Sequence, residues 1–157
     1  MRFLPCLLLV PFSTLAMAAN FRAVEQAARD DQMLIMAGVE PEHAELRAPC
    51  AATIIESGER PNFFNCVYVQ TPHDLNLFSL EDGYLMSELQ LALSNMDGVA
   101  LQHMGRYSQV QIFSGHRVAV LYIQKDSWID KQQTEAIYQW LIDHGVEARQ
   151  PRKWVGP

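Results

Sequence analysis

The stretch Val99-Ala100-Leu101-Gln102-His103-Met104-Gly105-Arg106-Tyr107-Ser108-Gln109-Val110-Gln111-Ile112-Phe113-Ser114-Gly115-His116-Arg117-Val118-Ala119-Val120-Leu121-Tyr122-Ile123-Gln124 sets two turn signals inside an alternating apolar pattern. Gly105-Arg106 reads as a two-residue loop with glycine first, the requirement of a type II′ turn. It sets Leu101 opposite Val110 and Val99 opposite Ile112. Ser114-Gly115-His116, read as a three-residue loop, then sets Ile112 beside Val118 and Val110 beside Val120. One face collects Val99, Leu101, Val110, Ile112, Val118 and Val120, and the other collects Gln102, Gln109 and Gln111. Two turns chosen separately give one apolar face, which predicts a three-stranded antiparallel meander. Val118 to Ile123 is apolar on both faces, so its strand is expected at the centre of the sheet.

Outward from the meander, helical spacing dominates the reading. Leu85, Leu89, Ala92, Leu93 and Met96 fall on one helical face, with Ser79 or Asp82 as the cap and Gly98 at the end. On the other side, Ile129, Gln133, Ala136, Ile137, Trp140 and Leu141 predict a second helix, opened by Asp126-Ser127 and closed by Gly145. A third helix is expected from Asn20 to Arg29, with Met33 to Ala37 open to helix or strand and Gly38 to Pro49 a loop. Ala51 to Ile55 and Phe63 to Val69 are β-rich runs around the turn composition Ser57 to Asn62, which predicts a hairpin. Val146 to Ala148 is a candidate edge strand, and residues 150–157 form an extended or loose basic tail. The expected fold class is α+β: an N-terminal hairpin plus a three-stranded meander, with two to three helices packed on the antiparallel sheet and one disulfide.

The N-terminus places a single Arg2 before a short apolar run broken by Pro5 and Pro11, then a small-x-small site at Ala16-Met17-Ala18. That order predicts a secretory signal peptide over residues 1–18, cleaved to begin the mature chain at Ala19 or Asn20. The run is too short to span a membrane, and nothing span-sized follows. A single domain over 19–149 is expected, in the periplasm or secreted. Cleavage removes one arginine and no acid, so the formal net charge of −6 moves to −7. An acidic chain without a basic run is poorly matched to nucleic acid or an anionic membrane surface. Cys6 leaves with the signal segment, and Cys50 and Cys66 are expected to pair across the hairpin in an oxidising compartment.

The meander register places His103, Ser108 and Tyr122 at one end of the apolar face. In a small hydrolase, His103 would take the Ser108 proton while Tyr122 orients the pair. No acid partner for His103 is evident, and Ser108 lies mid-strand rather than on the sharp elbow that exposes a nucleophile. A polar cluster closing a sheet accounts for the same residues. His73-Asp74 reads as a turn. His103 and His116 sit at opposite ends of the meander, and His43, His73 and His144 fall in separate segments, so no metal site is expected. Gly-rich phosphate loops, a GxSxG elbow and CxxC are absent, and no cofactor is implied. Two segments have the composition of contact surfaces. His116-Arg117 presents a ring and a guanidinium at a hairpin tip, and Phe63-Phe64 presents adjacent aromatics of which at most one can face the core. With no catalytic constellation complete, the expected function is a small exported, non-enzymatic protein-binding domain whose partner is another protein of the envelope or exterior. An inhibitor, an immunity-type partner or an envelope-machine accessory all fit. The alternative is the His103/Ser108 hydrolase.

Overall fold

The computed structural model describes residues 12–57, 59 and 61–153, so the first eleven residues of the expected signal segment, Cys6 among them, and residues 154–157 of the tail lie outside the described residues. In chain order the elements are α1 (Phe12–Ala27), α2 (Asp31–Met36), β1 (Leu46–Glu56), β2 (Asn62–Gln70), β3 (Asp74–Glu81), β4 (Tyr84–Ala92), β5 (Gly98–Met104), β6 (Tyr107–Ser114), β7 (Arg117–Lys125), β8 (Trp128–Ile129) and α3 (Lys131–Asp143). The strands form one eight-stranded antiparallel sheet in the order β4-β3-β2-β1-β7-β6-β5, with β8 added to β7. The sheet curls into a sandwich- or barrel-like layer whose inner face α3 covers. Ile137 and Leu141 of that helix join Cys50, Tyr68, Leu121 and Ile123 in the main core.

This architecture corrects the expected fold class. The N-terminal hairpin and the meander exist, but they are joined edge to edge through β1 and β7, and a β3–β4 hairpin stands where a helix was expected. A β-bulge interrupts this hairpin. The β3–β4 register shifts between Leu77 and Phe78, which pair with Leu89 and Ser87 and leave Glu88 as the extra residue. Leu85, before the bulge, packs outward with Phe78, whereas Leu89 and Leu91, after it, pack inward. Leu89, and beyond the end of the strand Leu93 and Met96, pack on the main core, and with Leu85 four residues before Leu89 their spacing matches one helical face. Asp82-Gly83, both at positive φ (48° and 83°), is the turn of this hairpin and no helix cap.

The meander holds its first turn and loses its second. Leu101 pairs with Val110 and Val99 with Ile112, as expected around Gly105-Arg106. At the other end Ser114 pairs with Arg117, so the loop is Gly115-His116 alone, and Val110 meets Leu121 while Ile112 meets Ala119. A slip of one residue turns every side chain of a strand over. Ala119, Leu121 and Ile123 therefore face the main core, and Val118, Val120 and Tyr122 face outward. β7 is central, between β1 and β6.

Other boundaries move for local reasons. β1 begins at Leu46 and takes in Pro49, which was assigned to a loop. The C-terminal helix begins after Asp130, whose carboxylate accepts from Gln133 N–H at 2.9 Å. Asp126-Ser127 is instead the β7–β8 turn. Thr134 locks α3 to the sheet: its hydroxyl accepts from Ile123 N–H at 3.0 Å and donates to the Asp130 carbonyl at 2.7 Å. The expected N-terminal helix is present and starts earlier, at Phe12, so it crosses the expected cleavage site. Val24, Ala27 and Leu34 of α1 and α2 cover the outer face of β2 and β3 at Val67, Val69 and Phe78.

Cys50 and Cys66 face each other directly on β1 and β2, fully buried, and form a disulfide with Cα atoms 4.8 Å apart. Val146–Ala148 contributes only a single parallel bridge, Val99 to Ala148, rather than a strand. The tail beyond it is not loose up to Lys153. It lies across the outer face of β6, with the Arg149 and Arg152 guanidinium carbons 5.8 and 5.4 Å from the Phe113 ring centre. At Gly98 an added Cβ would come within 2.5 Å of the Arg149 side chain, so the missing side chain there makes room for the tail.

Candidate functional site

The outer face of the sheet has a covered wing at each side. α1 and α2 lie over β2 and β3, and residues 149–152 lie over Phe113 and Gln111. Between the wings opens a cavity of about 510 Å³, whose lining includes Asn20, Thr53, Phe63, Asn65, Gln109 and Tyr122. Its floor follows from strand alternation. Phe63, Thr53 and Val120 form one row across β2, β1 and β7, and Asn65, Ala51 and Tyr122 form the next. Small residues at Ala51 and Thr53 leave the depth, and Phe63, Leu80 and Val120 give apolar wall. Glu81 supplies a carboxylate in the lining. Burial pushes the Tyr122 hydroxyl up from its ordinary pKa, so it is a neutral donor and acceptor at physiological pH.

Of the contact residues read from the sequence, Phe63 and Phe64 line this cavity and His116 and Arg117 do not. Phe64 turns inward against the core, while Phe63 stays 56% exposed at the cavity wall. His116 and Arg117 lie at the β6–β7 turn, at the same end of the sheet, because Arg117 pairs with Glu56 at the end of β1. The Arg117 guanidinium is ion-paired with the Glu56 carboxylate. The acidic residues of that end among those described are Glu56, Glu59, Glu81, Asp82 and Asp97, the last of which accepts the Gly115 N–H.

The other candidate cluster lies at the opposite end, and the structure splits it. Tyr122 points outward into the cavity, on the face opposite Ser108, because of the register slip described above. His103 and Ser108 do face each other across β5 and β6, with Nδ1 and Oγ 3.0 Å apart. An acid that sequence reading missed, Glu135 of α3, reaches both: Ser108 donates to its Oε1 at 2.8 Å, and His103 Nδ1 lies 3.4 Å from the same oxygen. Only the partial packing of α3 on β6 brings them together, and no local pattern in the sequence links positions 108 and 135. With the hydroxyl proton directed at Glu135, His103 Nδ1 is left to donate to Oγ, the reverse of what a general base does for a nucleophile. Ser108 is 1% exposed, and neither it nor His103 lines a cavity among those described. The cluster ties the β5–β6 hairpin to α3. Ser108→Ala should therefore lower stability by about 1.5 kcal/mol, the low end for a lost hydrogen bond to a charged group, because His103 and Glu135 both reach water. A urea melt of the variant checks this, and a partner-binding readout should not change.

The histidines fall as expected in one respect and not in another. His103 and His116 are at opposite ends of the meander. His43 and His73, distant in sequence, line one second cavity of about 570 Å³ with Glu40 and Asp74. Glu40, Glu42 and His43 bring ligand atoms within 4.8 Å of one another on an exposed loop, where acidic side chains commonly cluster without an ion. No helix among the described residues is long and apolar enough to cross a membrane.

No protein-family model matches the chain, and no curated protein matches it. Solved structures are similar in fold. A Vav1 structure described as inhibited by an allosteric inhibitor, with Vav1 inhibitors blocking GEF activity, is 9% identical with a TM-score of 0.52 over 83% of this chain and 36% of that one. The apo structure of the activated truncation of Vav1 is 11% identical, with a TM-score of 0.50 over 83% of this chain and 33% of that one. The chain thus spans about a third of the length of the Vav1 chains it matches. The Slm1-PH domain in complex with phosphoserine is 16% identical, with a TM-score of 0.42 over 64% of this chain and 94% of that one.

Proposed function

We propose that the chain is a PH-like, non-enzymatic protein-binding domain that acts outside the cytoplasm, in the periplasm, and meets an envelope or exterior protein with the end of the sheet that carries Phe63, His116 and Arg117. The observation that carries the reading is Phe63, an aromatic 56% exposed on β2 in the wall of a cavity of about 510 Å³. Exposed aromatics at the edge of a pocket are the anchors on which protein interfaces concentrate their energy. Export is supported by the signal-like N-terminus and by the disulfide, which an oxidising compartment maintains. Cleavage after Ala18 or Ala19 would leave the cavity-lining Asn20 at or next to the new N-terminus.

The charge at this end argues for a protein rather than an anionic lipid head group. Glu56, Glu59, Glu81, Asp82 and Asp97 outnumber the cations Arg117, Arg149 and Arg152 among the described residues of this end; Arg117 is held by Glu56, and Arg149 and Arg152 lie over the Phe113 ring. Phosphate groups would meet a repulsive field.

A photo-crosslinking residue at His116, introduced into the chain in its native cells, tests the reading. The expected result is one dominant protein adduct, lost when Phe63→Ala is added, together with an exported chain that begins at Ala19 or Asn20. Arg117→Glu should weaken the adduct as well, with a stability change of no more than about 1 kcal/mol, the scale of an exposed ion pair. Sedimentation with anionic vesicles in place of a protein adduct would overturn it.

A further inference from the structure

The tail shows how this sheet face holds a polypeptide main chain. Gln111, only 1% exposed, donates from its Nε2 to the Arg152 carbonyl at 3.0 Å and accepts from the Arg152 N–H at 2.8 Å. A side-chain amide thus pairs with an extended backbone at two points, as a neighbouring strand would. The amide is fixed from below, because Gln102 Oε1 accepts from Gln111 and from Gln109, each at 2.7 Å.

Gln109 is the next outward-facing residue along β6, it is 5% exposed, and it lines the same cavity as Phe63. One of its two Nε2–H donors is engaged by Gln102, and its carbonyl oxygen offers an acceptor for a backbone N–H. Asn65 and Tyr122 extend the hydrogen-bonding surface across the floor. The volume of about 510 Å³ lies within the range of about 300–1,000 Å³ typical of ligand sites. The apolar part of the lining, Phe63, Leu80 and Val120, suits one hydrophobic side chain, and Glu81, exposed at the surface, suits a cation. The chain's net charge of −6 favours the same sign of ligand.

We propose that this cavity binds an extended peptide segment of the partner, continuing the surface on which residues 149–152 lie. A main-chain N–H of that segment meets Gln109, an apolar side chain sits among Phe63, Leu80 and Val120, and an adjacent lysine or arginine meets Glu81. The inference rests on the protein-binding reading and adds the chemistry of the ligand to it.

Phage-displayed random heptapeptides selected on the immobilised full chain provide the probe, and the enriched sequences are then synthesised and titrated by fluorescence anisotropy. The expected result is a consensus of a basic residue beside a bulky apolar one, with binding weakened at least tenfold by Asn65→Arg, whose long side chain fills the cavity, and by Gln109→Ala. Glu81→Lys, at an exposed position that leaves the fold alone, should reverse the preference to an acidic flank. Thermal melts accompany each variant. No enriched peptide, or peptides that bind the Asn65→Arg and Glu81→Lys chains as well as the parent, would overturn the proposal. A partner adduct at His116 without any peptide in the cavity would overturn this inference alone and leave the binding reading standing.

Discussion

Replacing both half-cystines, Cys50→Ala with Cys66→Ala, is expected to lower the unfolding free energy by about 3 kcal/mol, near the chain-entropy value for a loop of this size. The two residues are 16 apart in sequence and fully buried, and they face each other on β1 and β2, of which β1 joins the two halves of the sheet by pairing with β7. β1 has a partner on both sides, β2 through the bridged hairpin and β7 through the register that pairs Cys50 with Ile123. Freedom gained by the unfolded chain, together with the space left by two missing sulfur atoms in the core, acts in the same direction. A loss of this size corresponds to a fall in melting temperature of about 10 °C for a domain of this length. Urea titrations with and without reductant measure it. An unchanged midpoint, or free thiols in the unreduced denatured protein, would exclude a structural bridge.

Leu121→Ala should cost about 2–5 kcal/mol, the range for truncating a buried leucine. Leu121 is fully buried in the main core and pairs with Val110 on β6 and Ala52 on β1, so little can collapse into the gap. Its neighbour Val120 faces the other way, into the cavity wall, and Val120→Ala should cost only about 1 kcal/mol because water reaches the space. The comparison tests the register of β7 directly. In the register of a three-residue loop the order of the two effects would be reversed. Chemical denaturation of both variants, read at constant slope, separates the cases.

Most of the meander and the stapled hairpin could be read locally, because their determinants are local. Gly105 opens a tight turn, alternation marks strands, and two surviving cysteines on adjacent strands have one way to pair. The β6–β7 loop failed by one residue. Val118-Ala119-Val120-Leu121-Tyr122-Ile123 is apolar on both faces, so alternation there has no preferred phase, and only the pairing of β7 with β1 and β6 selects one. β4 departs more completely, since Leu85 and Leu89 continue into Leu93 and Met96 at helical spacing and only the pairing with β3 makes the segment a strand.

Sites followed the same division. Phe63, Phe64, His116 and Arg117 were visible as residue types at turns, but their meeting at one end depends on Glu56 reaching Arg117 across β1 and β7. Glu135, which accepts the Ser108 hydrogen bond, and Gln111, which holds the Arg152 main chain, acquire their roles through contacts 27 and 41 residues apart.

By itself, the sequence determined what short-range chemistry determines: where a tight turn opens, which strands alternate, which cysteines can pair, and the net acidic charge. The tertiary structure decided the phase of β7, the strand nature of β4, the outward turn of Tyr122 and the cavity between two covered wings. Each of these depends on which face of a strand is buried, and a strand apolar on both faces takes that information from its neighbours alone.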